Sequence, residues 1–124
     1  MKNVLVVDDL ESNYDFIELY AEKKYDLTWA PNGVCALELV RRRDFSAILM
    51  DIVMPEMDGY QTLAAVRRLE QESGRPPVPI IAVTAHSRAC NPEAGLQAGF
   101  DAFLCKPITG EQILRVLDEI AESK

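Results

Sequence analysis

Residues 4–9 read Val4-Leu5-Val6-Val7-Asp8-Asp9, and residues 47–51 read Ala47-Ile48-Leu49-Met50-Asp51. Each is a short apolar run without polar alternation, which marks a strand buried on both faces and hence a parallel sheet. Each also ends on a carboxylate. Two more runs share the plan: Ile80-Ile81-Ala82-Val83 closes on Thr84, and Phe103-Leu104-Cys105 is followed by Lys106. In an open parallel α/β sheet, ligands bind in the crevice outside the carboxyl ends of the strands. That rule gathers Asp8, Asp9, Asp51, Thr84 and Lys106 on one edge. Three carboxylates, a hydroxyl and an ammonium suit a divalent cation and a phosphoryl group.

Amphipathic stretches of helical length alternate with these runs. The first spans about Glu11 to Lys23, with Phe16, Ile17 and Tyr20 on one face. The second spans about Gly33 to Arg43, where Val34, Leu37 and Val40 share a stripe, and the third about Gly59 to Glu72, with Leu63, Val66 and Leu69. Asn91-Pro92-Glu93 reads as an N-cap, a proline at the first helical position and an acidic first turn, and Gly99 as the stop. Thr109-x-x-Gln112 has the form of a capping box before a last helix that buries Ile113, Leu117 and Ile120. The order is β-α repeated five times, and right-handed crossovers make it a three-layer doubly wound α/β fold.

The 124 residues predict one domain, 1–124, large enough for a real core. A formal charge of −7 argues against direct nucleic-acid binding. Arg41-Arg42-Arg43 falls where the second helix ends and complements its dipole. The loop Ser73-Gly74-Arg75-Pro76-Pro77 lies at the opposite edge from the acids and reads as a connection. Cys35, Cys90 and Cys105 cannot all pair within the chain and show no zinc-ligand spacing. With no signal-peptide pattern and no apolar stretch long enough to span a membrane, the expectation is a cytoplasmic protein with reduced thiols.

Carboxylates as close as Asp8, Asp9 and Asp51 repel and raise one another's pKa. Magnesium relieves that repulsion, preferring oxygen ligands in octahedral geometry with several waters retained. Any one of these acids alone would be no more than a helix cap. A carboxylate beside a metal can attack phosphorus to give an aspartyl phosphate. Phosphoryl transfer then needs mostly positioning and charge neutralisation, which Lys106 supplies, while the Thr84 hydroxyl can donate to a phosphoryl oxygen.

The set Val-Val-Asp8-Asp9, Met50-Asp51-x-x-Met54-Pro55-x-Met57-Asp58-Gly59, Val-Thr84-Ala85 and, some fifty residues after Asp51, Lys106-Pro107 resembles the receiver domain of two-component response regulators, the CheY-like superfamily. The resemblance covers essentially the whole chain. It implies a flavodoxin-like sheet of order 2-1-3-4-5. It makes Asp51 the phosphoacceptor, taking phosphate from a histidine kinase or a histidine phosphotransfer protein. Asp9 and Asp51 would ligate magnesium directly, Asp8 through water, and Val53 by its backbone carbonyl. Thr84 and Lys106 would contact the phosphoryl group, Phe103 takes the place of the switch aromatic, and Lys106-Pro107 matches the family's cis peptide. The face of helix 4, strand 5 and helix 5 would read out the state to a downstream protein or a second copy.

This chain departs from the family in a few places. Phe103 has no polar group, so packing alone favours its inward state. Val53 cannot hold an attacking water and His86 can shield the phosphoryl group, which predicts slow self-hydrolysis. Pro92 and Gly95 point to a short, loosely held fourth helix. Met50, Met54 and Met57 read as gap-fillers and anchors, and Trp29 as a residue remote from the pocket and a poor reporter of metal. The chain is expected to act as a signalling phosphoacceptor, limited to self-phosphorylation from small donors and self-dephosphorylation. A receiver cut from a hybrid histidine kinase, a phosphate-independent interaction module, and a small-molecule phosphatase using Asp51 are the alternatives.

Overall fold

The computed structural model describes residues 1–85 and 90–121, so the expectation for His86 lies outside the described residues. Five strands, β1 (Lys2–Val7), β2 (Tyr25–Ala30), β3 (Ala47–Met50), β4 (Ile80–Thr84) and β5 (Ala102–Cys105), alternate with five helices. These are α1 (Glu11–Ala21), α2 (Gly33–Arg42), α3 (Gly59–Ser73), α4 (Pro92–Ala98) and α5 (Gly110–Ala121). The sheet is all parallel in the order β2-β1-β3-β4-β5. The order reverses between β1 and β3, the two strands that carry the acids, and that reversal opens the crevice.

β3, β4 and the second half of β1 are buried throughout because both faces are covered, whereas the edge strand β2 carries Asp26, exposed, and Thr28. Leu5, Val7, Ile48, Met50, Ile80 and Ala82 join Val40, Leu63, Val66 and Phe100 under α2 and α3. Their neighbours Val4, Val6, Ala47, Leu49, Ile81 and Val83 join Ile17, Ala21, Ile113 and Leu117 under α1 and α5. The period of two sends each strand's side chains alternately to one core and the other.

Two helical faces differ from their expected stripes. In α1, Ile17 and Ala21 are buried while Phe16 and Tyr20 stay partly exposed. The Tyr20 ring lies instead against Gly110 at the start of α5 and tilts on Phe16, 5.2 Å between centroids. In α2, Gly33, Ala36 and Val40 face the core and Val34 is exposed, because Gly33 approaches Met57 and Thr62 so closely that only small residues fit.

The predicted caps form. Asn91 Oδ1 accepts from the Ala94 N–H with Pro92 at the first position, and Gly99, in a left-handed conformation, ends α4. Thr109 and Gln112 exchange both capping-box bonds. Arg41 and Arg42 lie in the last turn of α2, where the dipole reading put them, and also pair with Glu38, while Arg75, from the connecting loop, donates to the carbonyls of Val40 and Arg41. The thiol expectation is corrected. Cys90 and Cys105 are joined in a disulfide with Cα atoms 5.6 Å apart, and Cys35 alone is free. The topology brings together at one sheet end two cysteines whose sequence spacing says nothing of pairing.

Candidate functional site

Each acid owes its place to a strand end. The Asp8 N–H donates to Ala30 O and the Asp51 N–H to Val7 O, so both residues are held at the last rung of the ladder. The carboxylates of Asp8, Asp9 and Asp51 then offer oxygens that all lie within 4.8 Å of one another. Asp8 is buried, Asp51 half-buried and Asp9 exposed. Asp8, Asp51 and Lys106 line one cavity of about 330 Å³ that runs inward past Asn13 and Phe16 over Val6 and Leu49.

Burial of the Asp8 carboxylate is offset by hydrogen bonds. Asn13 Nδ2 donates to both its oxygens, at 3.2 and 3.1 Å, and the Leu10 N–H to Oδ1 at 3.0 Å. Leu10 has no side chain with which to cap α1, so Asp8 does that work for one orphan amide. Trp29 Nε1 donates to the Asp8 carbonyl at 2.8 Å while its ring stacks on Tyr14. Trp29 is therefore bonded to the backbone of an acid in the cluster, which corrects the remote position expected for it; the last turn of β2 beside Asp8 is where the indole reaches.

Asp51 has its pKa raised to about 6. Burial is the largest cause and the charge of Asp8 adds to it; the Val53 N–H and the Lys106 ammonium pull the other way, and Asp9 adds a smaller push. Val53 is brought to the site through that amide, 3.3 Å from Asp51 Oδ1, while its side chain is 60% exposed. On the next strand Thr84 is fully buried, and among the described residues its Oγ1 has no hydrogen-bond partner. The Thr84 carbonyl takes the Lys106 N–H at 2.7 Å, which fastens the start of the Lys106-Pro107 segment, a cis peptide, to β4.

The segment after Asp51 is a scaffold for it. Asp58 caps α3 in a reciprocal box with Gln61, Met54 is buried in the core, and the Gly59 N–H donates to Ile52 O. A Cβ at Gly59 would stand 2.6 Å from the Asp51 carbonyl oxygen, so only glycine lets the helix start this close. Phe103 is partly buried on the α4 side, edge-on to Phe100 with centroids 5.9 Å apart and against Gly95. Asn13 has no place in the sequence motifs, and Trp29 reads there as remote; the sequence signal for Asn13 is its position on the first turn of α1, just after the strand end that carries Asp8.

Such an arrangement can concentrate negative charge, hold a hard cation and present a carboxylate beside an ammonium. A family model for the response regulator receiver domain matches residues 4–118. The chain belongs to that family. This receiver is 39% identical over 115 residues to the sensor histidine kinase GacS of Pseudomonas protegens, a match covering 92% of this chain and 12% of that protein. It is 33% identical to the transcriptional regulatory protein SrrA of Staphylococcus aureus, over 91% of this chain and 45% of that one. The chain thus spans only a small part of the sensor kinase and under half of the regulator. Among solved structures it matches the Francisella response regulator 1452 receiver domain with a TM-score of 0.86 and 28% identity, over 99% of this chain and 98% of that one. It also matches the receiver domain of the sensor histidine kinase PA1611 of Pseudomonas aeruginosa PAO1, with a TM-score of 0.84, 32% identity and 98% of both chains covered. That structure has a magnesium ion coordinated in its active-site cleft. No helix among the described residues is long and apolar enough to cross a membrane.

Proposed function

We propose that this receiver accepts a phosphoryl group on Asp51 from the phosphohistidine of a histidine kinase or a histidine phosphotransfer protein. The Thr84 hydroxyl, fully buried at the end of β4 and, among the described residues, without a hydrogen-bond partner, is the observation that carries the reading. An unpartnered buried hydroxyl costs stability, and a phosphoryl oxygen arriving on Asp51 supplies what it lacks. An Asp51 oxygen attacks phosphorus, the P–N bond to the donor imidazole breaks, and the departing nitrogen keeps the electron pair. Lys106 lies near enough for its charge to act on Asp51 and so to neutralise the added charge. Asn13 holds the Asp8 oxygens in place before any ligand arrives.

The donor set fits magnesium: Asp9 and Asp51 would hold it directly, Asp8 through water and Val53 by its carbonyl, and bound there it neutralises charge on the reacting oxygens. With an apolar, exposed Val53 nothing at that position orients an attacking water, which supports a long-lived phosphoryl group. The chain then acts as a cytoplasmic switch rather than a turnover enzyme. Its output is a rearranged α4–β5–α5 face offered to a protein target or a second copy, with Thr84 and Phe103 moving together. The similarity to a segment of GacS supports a hybrid kinase as one place where such a receiver serves.

The test is intact mass after incubation with acetyl phosphate, with and without magnesium, beside Asp51→Asn. One phosphoryl adduct that needs both magnesium and Asp51 supports the reading. Folded protein that takes no phosphate from acetyl phosphate or from a phosphohistidine donor would make it a phosphate-independent interaction module.

A further inference from the structure

Cys105 is the in-register partner of Thr84 in the sheet and immediately precedes Lys106. Two residues of the acidic site therefore flank it, one across the strand pair and one along the chain. Cys90 immediately precedes Asn91, the N-cap of α4. The disulfide thus fastens the start of α4 to the strand position beside Thr84, across a Cα separation of 5.6 Å that suits a bridge without backbone movement.

We infer that Cys90 and Cys105 are a redox-active pair whose oxidation fastens α4 to the end of β5 and whose reduction releases it. Both cysteines are half-buried, so a small thiol can reach the bond. The helix it secures is otherwise weakly held. α4 has seven residues, of which only Gly95 is buried, and an open groove lined by Val53, Met54, Tyr60, Asn91 and Ala94 lies at its start. Elements with so little packing open locally at small cost. Closing the chain between residues 90 and 105 removes much of the freedom that an opened α4 would gain.

The oxidant is a small-molecule disulfide such as oxidised glutathione. One cysteine thiolate attacks a glutathione sulfur, forms a mixed disulfide and releases one glutathione thiolate. The other cysteine attacks the protein sulfur of that mixed disulfide and releases the second. Two protein thiols become one bond, and their two protons end on two reduced glutathiones. Only the use made of the α4–β5 face rests on the phosphoacceptor reading; the bond does not.

The experiment takes wild-type protein to equilibrium in glutathione buffers of graded ratio and maps peptides under non-reducing conditions. Hydrogen exchange is then read on both redox forms and on Cys90→Ser. The expected result is a Cys90–Cys105 peptide that appears and disappears with the glutathione ratio while Cys35 stays free. The Gly95, Gly99 and Phe100 amides, each hydrogen-bonded within α4 or its cap, should exchange on the order of tenfold faster in the reduced form and in Cys90→Ser. Three results would each overturn the inference: no Cys90–Cys105 bond at any ratio, a bond that reduced glutathione cannot open in the folded protein, or equal α4 exchange in both forms. No arm involves Asp51, so none of these results depends on whether Asp51 takes phosphate.

Discussion

Replacing Asp51 by asparagine should stabilise the metal-free protein. Asparagine keeps an oxygen for the Val53 N–H and removes the charge that Asp8 and burial oppose. The carboxyl pKa rises from 3.8 to about 6 on folding. At about 1.4 kcal/mol per pKa unit, that shift of roughly two units sets an upper figure of about 3 kcal/mol. Asp51 is only half-buried, so solvent screening reduces the expected gain to about 1–2 kcal/mol. The sign follows from linkage. The folded state binds the proton more tightly than the unfolded state, so folding takes up protons across the window from 3.8 to about 6. Wild-type stability owed to this group falls as pH rises through that window, and the full penalty stands above it. Urea unfolding of both proteins at about pH 7.5 and about pH 5 measures the gap, with roughly half of it remaining at the lower pH. Saturating magnesium should shrink the gap at the higher pH, because it stabilises the wild type by binding the folded acids. An asparagine variant no more stable than wild type at about pH 7.5, or a gap indifferent to pH, would refute the electrostatic account of Asp51.

Thr84→Val keeps the shape and removes the unpartnered hydroxyl; it should raise stability by about 1 kcal/mol in urea while slowing phosphoryl uptake from acetyl phosphate at least about tenfold. Gly59→Ala should cost about 1–3 kcal/mol in the same assay, because its Cβ meets backbone at Asp51 and Ile52 that cannot yield. Trp29 emission should change on magnesium titration, through the Nε1 bond to the Asp8 carbonyl, and Asp51→Asn should shift the midpoint to higher magnesium; unchanged emission alongside calorimetric binding would contradict this. Gly95→Ala should destabilise the protein by displacing the Phe103 ring, and combining it with Phe103→Leu should recover part of the loss, read as a double-mutant cycle.

Four of the strands were legible because a sheet covered on both faces leaves unbroken apolar runs, ending where Asp8, Asp51, Thr84 and Lys106 mark the crevice. The order 2-1-3-4-5 came from the resemblance to receiver domains, and the edge strand β2 has no such run. Caps such as Asn91 and the Thr109–Gln112 box were legible because they are local in sequence. The helix faces were less so. Val34 and Phe16 have the right period for a core stripe, but tertiary fit put Gly33 and Ala36 inward, and left only Ile17 and Ala21 buried in α1. Trp29 and the cysteine pair depend on which strand ends lie side by side and in what register. Trp29 reaches Asp8 because β2 borders β1, and Cys105 reaches Cys90 because β5 carries it to the start of α4. Neither proximity leaves a trace in spacing along the chain.

The central claim is that Asp51, among three clustered acids, is the group that takes phosphate. It is tested most directly by phosphorylating the protein with a phosphohistidine donor and magnesium, reducing the product with borohydride and sequencing its peptides by mass spectrometry. An acyl phosphate is reduced to the alcohol, so the modified carbon marks the acceptor. The account predicts homoserine at position 51 and unchanged aspartates at Asp8 and Asp9. Label on Asp8 or Asp9, or none on a folded protein with a competent donor, would contradict it.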